Sequence, residues 1–526
     1  MSRNPLRALA LSWVVVGKEP ASNYARLFWI FAIVYAALWT ALPSLFYSTY
    51  PLDVIEGLVW GQHWELGYYK HPPLQAWLLR IAWWAGGQSP VAIYALSQLA
   101  VVATFGFVRA FAREILGSER QAFWSVMLLA CVYSFSYATP EFNPNVLQAP
   151  FWAMLAWALQ RALSSGLTRF WIVGGVAAAA GLLTKYFMAV EIGAVALFML
   201  FHPDGRRALG SRGPWLGMLT ALVLLTPHLV WLQQSGWLPL HYAARRSGLA
   251  SGALAWLRDP LNFLAGQVLA VAGIPLTLLL ARAWRARPFA RVSLAARHDA
   301  VLLALGLGPL LMCMMVAAVT PLRTAWGAPM GCFAGVLAVR AMPRAFDAAR
   351  ALRLVPAWTT IAALFPIAFV AINVVYPYIH QRPIRTLFPA RELASAITAE
   401  WRAQTGRPLP VVFGTVWLAG NVAMASSDQP TVWIEPIASE DVSIFETSPW
   451  ISLDRVACTG LVIVWRAEVE GSQELPARYR QFFAAAIVQP TLKLAAGPRP
   501  VDFDWAIVRP VRGNDDPGCA PWRRVP

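Results

Sequence analysis

Residues 27–46, LFWIFAIVYAALWTALPSLF, form an apolar run of membrane-crossing length, and residues 53–77, DVIEGLVWGQHWELGYYKHPPLQAW, follow it almost at once. Two carboxylates, a lysine and a His-Pro-Pro directly after a hydrophobic span are out of character with the rest of the chain. Of its 526 residues 58% are hydrophobic and only 13% charged, where a soluble domain carries about 25% charged residues. The composition is that of a polytopic membrane protein.

About eleven apolar stretches are long enough to cross a bilayer, near 27–46, 91–111, 121–138, 146–163, 169–184, 187–202, 214–232, 259–281, 300–319, 325–341 and 355–375. The net charge of +16 comes from arginines scattered between these runs, with no basic tail and no nucleic-acid motif, so a nucleic-acid partner is not expected. Lys and Arg are distributed unevenly over the loops. With the N-terminus inside, roughly twenty fall in inner loops against roughly seven outside. The inner set includes Arg109, Arg113, Arg206, Arg207, the cluster Arg282–Arg297, and Arg340–Arg353. The outer set is Lys70, Arg80, Lys185, Arg245, Arg246, Arg258 and Arg323. This bias places the Asp53–Trp77 stretch and everything after residue 376 on the outer face. The basic N-terminus, interrupted by Lys18, Glu19 and Pro20, reads as a cytoplasmic tail or interfacial helix, not a cleaved signal.

From about residue 381 the pattern changes. Short β-rich runs (PLPVVFG, PTVWIE, GLVIVWRAE, FDWAIVRP) alternate with helix-like ones, which predicts a small α/β domain over 381–526 beside a membrane domain over 1–380. Cys131, Cys313 and Cys332 lie in apolar spans as buried residues. Cys458 and Cys519 lie in the outer domain, where an oxidising compartment allows a disulfide; two separate thiols are the alternative.

In the first outer loop, 47–88, Asp53 and Glu56 stand at i and i+3 and share one face of a helix whose other face is apolar. The pattern predicts an amphipathic helix along the membrane surface, a break at Pro72 and Pro73, and a second short amphipathic helix. Trp60, Trp64 and Trp77 read as interfacial anchors. Solvation of the loop would account for the carboxylates on its own. A carboxylate beside an apolar cavity is also suited to general-base chemistry, and the few outer cations Lys70, Lys185, Arg245, Arg246 and Arg323 to holding a phosphate. His63, Glu65 and His71 match no standard metal spacing, and no metal site is assigned. Phosphate-cradling, dinucleotide, zincin and CxxC motifs are absent from the sequence. Further on, YATPEFNPNVLQAPFW presents Glu141, Asn143 and Asn145 at the start of a span, as helix caps or as sugar-binding groups. Lys185, in GLLTKYFMAV, sits between two apolar runs, where a lysine must snorkel or find a partner.

The acidic pair Asp53 and Glu56, then GYYKHPPLQAWLL, TPEFNPNVLQAPFWAML and GLLTKYFMAV, resembles the bacterial members of the protein O-mannosyltransferase superfamily, membrane glycosyltransferases of the GT-C fold. Within it the chain is similar to the lipid A aminoarabinose transferases and the galacturonosyl transferases that modify lipopolysaccharide. The resemblance covers about residues 25–375.

It implies a polyprenyl-phosphate-linked sugar donor, a lipid A, lipopolysaccharide or other envelope acceptor, and inverting transfer on the outer face of a bacterial inner membrane. No cofactor is implied beyond weak dependence on a divalent metal. Asp53 matches the family's first-loop catalytic acid and Glu56 its partner, with Lys185, Lys70, Arg245 and Arg246 as donor-phosphate groups. Tyr69, His71, Glu141, Asn143, Asn145 and Arg323 are the substrate-binding candidates. Where many relatives carry an aspartate, this chain has Asn143-Pro144-Asn145, which removes a second carboxylate there. A protein O-glycosyltransferase of the same fold and a flippase for lipid-linked sugars are the rival readings; a flippase is disfavoured by the lack of repeat symmetry and of mid-membrane charge.

Overall fold

The computed structural model describes residues 21–248, 252, 254–286, 289–436, 443–466, 474–512 and 516–522. The basic N-terminal stretch expected as a tail or interfacial helix lies outside them up to residue 20. The chain forms two compact units. One comprises the described parts of Met1–Ser44, Val91–Gly236 and Ser247–Val370; the other, those of Leu45–Pro90, Trp237–Arg246 and Ala371–Pro526.

The first unit is helical. Among the described residues of the whole chain five helices are long and apolar enough to cross a membrane: Asn23–Phe46, Pro90–Leu116, Arg212–Gln234, Arg297–Ala317 and Arg353–His380. Two bent pairs, Met188–Phe201 with Pro203–Leu209 and Ala255–Ala270 with Gly273–Leu280, raise this to seven if each is one span. The protein is a multi-pass membrane protein, and its helices are more interrupted than the eleven apolar runs suggest. The run near 121–138 is a helix only over Glu119–Met127 and then breaks into 3-10 turns. That near 325–341 is a 3-10 segment, Thr324–Phe333, followed by the eight-residue helix Ala334–Ala341. Hydropathy measures the cost of contact with lipid; it does not report whether the backbone stays in one straight helix.

The second unit is built on a six-stranded sheet: β1 Val411–Gly414, β2 Thr431–Ile434, β3 Leu461–Arg466, β4 Ile487–Val488, β5 Leu492–Ala496 and β6 Arg499–Val508. The order is β2-β1-β3-β6-β4, with β5 also on β6. β1 pairs parallel with β2 and β3, whereas β6 runs antiparallel to β3 along six register pairs, Leu461 opposite Val508 through Arg466 opposite Phe503. Val411, Phe413, Trp433, Ile463, Trp465 and Ala506 form its buried core. The helix Ala390–Thr405 buries Leu393, Ala394, Ile397 and Trp401, an i, i+4, i+8 stripe. Cys458 and Cys519 are joined in a disulfide that closes a separation of 61 residues.

The loop 47–88 belongs to this second unit. Its helix Leu52–Gly61 buries every residue from Val54 to Gly61. It is packed on two sides. On one, the helix Leu74–Ala85 comes so close that a Cβ on Gly61 would stand 2.5 Å from the Ala76 carbonyl oxygen. On the other, the helix Val416–Ala425 approaches so that a Cβ on Gly420 would stand 2.4 Å from Ile55 Cγ2. Ser48 N–H donates to the Thr386 carbonyl at 2.8 Å, and Thr49 hydrogen-bonds Asn421. The helix is therefore a core element of the second unit, packed between two other helices. Trp60 is 1% exposed and stacks on Tyr68, so it is not an interfacial anchor.

Candidate functional site

Asp53 lies in the first turn of Leu52–Gly61, directly after Pro51, which supplies the N-cap without a side-chain hydrogen bond. The unpaired N–H groups and macrodipole of a helix N-terminus favour a carboxylate there. The Asp53 side chain is half-buried, and its backbone carbonyl accepts a hydrogen bond from Gln75 Nε2 at 3.2 Å. Glu56 follows one turn later on the same face, is buried, and accepts a hydrogen bond from Lys70 Nζ at 2.8 Å. Lys70 also stands over the rings of Tyr69 and Tyr242, 5.1 and 5.7 Å from their centroids. Burial works against the Lys70 ammonium, but the Glu56 carboxylate and the two tyrosines outweigh it and hold its pKa well above the ordinary lysine value.

The His-Pro-Pro turn fixes this arrangement. Tyr68 N–H donates to the His71 carbonyl at 3.0 Å, closing the turn, and Tyr68 Oη donates to the Trp60 carbonyl at 3.0 Å. The Trp60 ring is stacked on Tyr68 and edge-on to Tyr69 and His71. Trp77 Nε1 donates to the Glu65 carbonyl at 3.0 Å, tying the turn to the next helix. Burial raises the Glu65 carboxyl. His63 stacks on Trp450 with ring centroids 4.2 Å apart; burial, then the Arg455 and Arg80 charges, push its pKa down to about 3. An imidazole stacked on indole is engaged in packing, and no group of three or more His, Cys, Asp or Glu side chains able to hold a metal occurs among the described residues.

Arg245 and Arg246 are exposed in the last turn of the helix Leu238–Ser247, where cations complement the helix dipole. That same helix supplies Tyr242 to the lysine.

The other candidates lie in the first unit. Asn143 caps the helix Pro144–Ser165: its side-chain oxygen accepts from the N–H groups of Asn145 and Val146 at 3.0 and 3.1 Å. Two residues on, Asn145 Oδ1 accepts a hydrogen bond from Lys185 Nζ at 2.6 Å. The backbone leaves the helix Thr168–Thr184 at Lys185, which is extended at φ −162°, ψ 133°, and Gln148 Nε2 holds the Lys185 carbonyl at 2.8 Å. The side chain is 9% exposed and stands over Phe187 and Trp326 at 5.7 and 5.4 Å. Arg323 is exposed at the N-terminus of the 3-10 segment that carries Trp326, and Glu141 is half-buried just before the Asn143 cap.

Each candidate set is thus brought together within its own unit: Asp53, Glu56, Tyr69, Lys70 and His71 in one, Asn143, Asn145 and Lys185 in the other. Chemically, the first offers a half-buried carboxylate beside a fixed ion pair, the second an ammonium oriented by an amide and two aromatic faces. Tyr242, Trp326 and Gln148 are the contributors the sequence reading missed. Gln148 is one turn from Asn145 on the same helix and was open to a periodicity argument. Tyr242 and Trp326 lie far along the chain from the lysines they cover, and nothing local marks them. A further pair, Tyr186 Oη and the buried His228 Nε2 at 3.0 Å, follows Lys185 directly.

Comparison with known proteins bears out the resemblance. Residues 70–231 match the family described as dolichyl-phosphate-mannose-protein mannosyltransferase. The chain is 26% identical over 199 residues to the lipid A galacturonosyltransferase RgtD of Rhizobium johnstonii, a match spanning 37% of this chain and 41% of that protein. The structure of ArnT from Cupriavidus metallidurans bound to undecaprenyl phosphate superposes with a TM-score of 0.61 at 13% identity, covering 92% of this chain and 98% of ArnT. The apo state of the same protein gives 0.59, over 94% and 99%. The fold is the GT-C fold with a small C-terminal sheet domain, and it extends over nearly the whole chain.

Proposed function

We propose that the protein is a glycosyltransferase that moves a sugar from a polyprenyl-phosphate carrier to lipid A, lipopolysaccharide or another envelope acceptor. In this reading it sits in a bacterial inner membrane with its N-terminus cytoplasmic and the domain after about residue 381 periplasmic, where no nucleotide sugar is at hand. The observation that carries the reading is Lys185: an ammonium taken out of solvent and oriented by a neutral amide, in a chain whose fold is that of a protein solved with undecaprenyl phosphate. Fold alone would not carry it, since one fold hosts many chemistries.

Asp53 acts as the general base. Its carboxylate takes the proton from the acceptor hydroxyl as that oxygen attacks the anomeric carbon. The bond from that carbon to the phosphate oxygen breaks on the opposite side, inverting the centre, and polyprenyl phosphate leaves with its charge. Lys185 stabilises that charge, which grows as the bond breaks, so the interaction favours the transition state over the ground state. Glu56 keeps Lys70 charged and in place, and Tyr69 and His71 shape the turn beside Asp53. Arg245, Arg246 and Arg323 draw the anionic donor in; Glu141 and Asn145 engage sugar hydroxyls.

The test compares envelope lipids by mass spectrometry in cells carrying the wild-type protein, no protein, or Asp53→Asn at matched expression. A sugar-sized mass increment on a lipid that vanishes in both the null and the variant supports the reading. Retention of the increment by Asp53→Asn removes Asp53 as base. A null strain with unchanged lipids but an altered glycoprotein would shift the acceptor to protein.

A further inference from the structure

In the first unit, away from every candidate above in sequence, is a small solvent-open recess. Two separate chain segments form its walls: the turn after the helix Gly273–Leu280, carrying Arg282 and Arg285, and the start of the helix Ala348–Val370, carrying Arg350 and Arg353. The rest of the lining is small, mainly alanine with Leu354, which leaves the space between the guanidiniums open.

A loop arginine excess accounts for basic residues near helix ends, but not for four of them converging on one concavity. Like charges gathered there repel, and an anion between them relieves that repulsion. Asp347 offsets part of it, 3.9 Å from Arg350, whose Nη1 also donates to the Arg344 carbonyl at 3.0 Å. Arg285 is anchored over the Trp284 ring at 5.1 Å. Arg282 adopts the left-handed conformation at φ 54°, ψ 35°, uncommon for a residue with a Cβ and a form of local strain found at ligand clamps.

The surface leading to the recess is apolar. On the helix that ends at Arg282, Leu276, Leu279 and Leu280 are 48%, 59% and 57% exposed, with Trp284 beyond them at 45%. Leu276, Leu279 and Leu280 are three and four residues apart on the helix Gly273–Leu280 and share a face, a stripe close in sequence to Arg282 and Arg285. A ligand with an acyl chain for the stripe and a phosphate for the guanidiniums matches both features; a soluble phosphate matches only one.

We propose that this recess binds the phosphate headgroup of an anionic membrane lipid, with Arg282, Arg285, Arg350 and Arg353 on the phosphate and the Leu276–Leu280 stripe along its chains. Arginine forks suit phosphate oxygens, and basic pockets at the ends of membrane helices bind such headgroups. The experiment titrates phosphatidylglycerol, with phosphatidylcholine as reference, into the full-length protein in detergent micelles and counts bound lipids by native mass spectrometry. The variants are R282Q/R285Q and R350Q/R353Q. R206Q/R207Q, a basic pair on the helix Pro203–Leu209, removes the same charge elsewhere.

Each recess variant is expected to bind phosphatidylglycerol about 30-fold more weakly, at about fivefold per arginine lost. The control pair should match wild type, and glycerol 1-phosphate should not displace the lipid. Equal binding by recess variants and control would overturn the proposal. Full displacement by glycerol 1-phosphate would overturn its lipid part and leave a soluble phosphate as the ligand. Should one pair fail to give a monodisperse protein, the other pair and R353K, which keeps a point charge, decide the outcome.

Discussion

Lys70 and Lys185 are both lysines largely withdrawn from solvent, both covered by two aromatic rings, and both held by a short hydrogen bond. They differ in the partner. Lys70 meets a carboxylate, Glu56, 14 residues earlier in the chain, and the pair is internal to the core of the second unit. Lys185 donates to the side-chain oxygen of Asn145, a neutral amide, at 2.6 Å. A buried ion pair is mostly architecture, because each charge exists to satisfy the other. In the proposed reading Lys70 holds the Asp53 helix and turn in place, and Lys185 faces the donor phosphate.

The largest expected effect falls outside both lysines and sets the scale. Asp53→Asn removes the base and should lower kcat by about 10²–10⁴-fold, the usual worth of general-base catalysis, with the thermal transition unchanged. Next comes Lys70→Met, which strands Glu56 and should cost about 3–5 kcal/mol of stability, with partial recovery in Glu56→Gln/Lys70→Met. Recovery in the double variant, read from thermal or denaturant melts, separates a structural pair from two independent groups. Because its folded pKa is raised, the contribution of Lys70 is fully present below the ordinary lysine pKa and disappears only as pH rises through the higher folded value. Activity profiles between pH 6 and 9 should therefore carry no inflection from it.

Lys185→Gln should lower kcat by about 10²–10³-fold, the loss seen when one preorganised group facing a developing charge is removed. Its stability should change less than that of Lys70→Met, because Gln keeps a donor for the Asn145 oxygen whereas Met takes from Glu56 its Lys70 partner. An equal loss of stability in the two variants would erase the distinction between them. Cys458→Ser should destabilise the second unit by up to about 4 kcal/mol, from the loop entropy of a 61-residue closure, leaving the first unit's melting unaffected.

The last effect is a pH dependence, small near neutral pH. His63 is held neutral, with its pKa lowered to about 3, so the stability it contributes is present above the unfolded value near 6.5. It is lost as pH falls from there towards 3, at up to about 1.4 kcal/mol per pH unit. His63→Phe should keep the stack on Trp450 and flatten that acid limb in melts of the protein.

Much of this was legible in the sequence, and what was not has physical causes. The acidic i, i+3 pair, the helix break at Pro72 and Pro73, the Asn143 cap, the isolated Lys185 and four of the six strands are local signals, and local signals survive in a linear reading. The short β4 and β5 carried too few alternating residues to register. The burial of Leu52–Gly61 was missed because its second partner, Val416–Ala425, is an apolar helix with no amphipathic period more than 350 residues away. Glu56 and Lys70 were assigned separately, to the side of the catalytic acid and to the donor phosphate; their pairing depends on a turn whose geometry the residue types did not encode.

The most direct test is the affinity of the purified protein for undecaprenyl phosphate, measured for wild type, Lys185→Gln and Asp53→Asn. Binding at least tenfold weaker in Lys185→Gln and unchanged in Asp53→Asn is the expected result. Wild-type affinity in Lys185→Gln would contradict the assignment of Lys185 to the donor phosphate and, with it, the proposed mechanism.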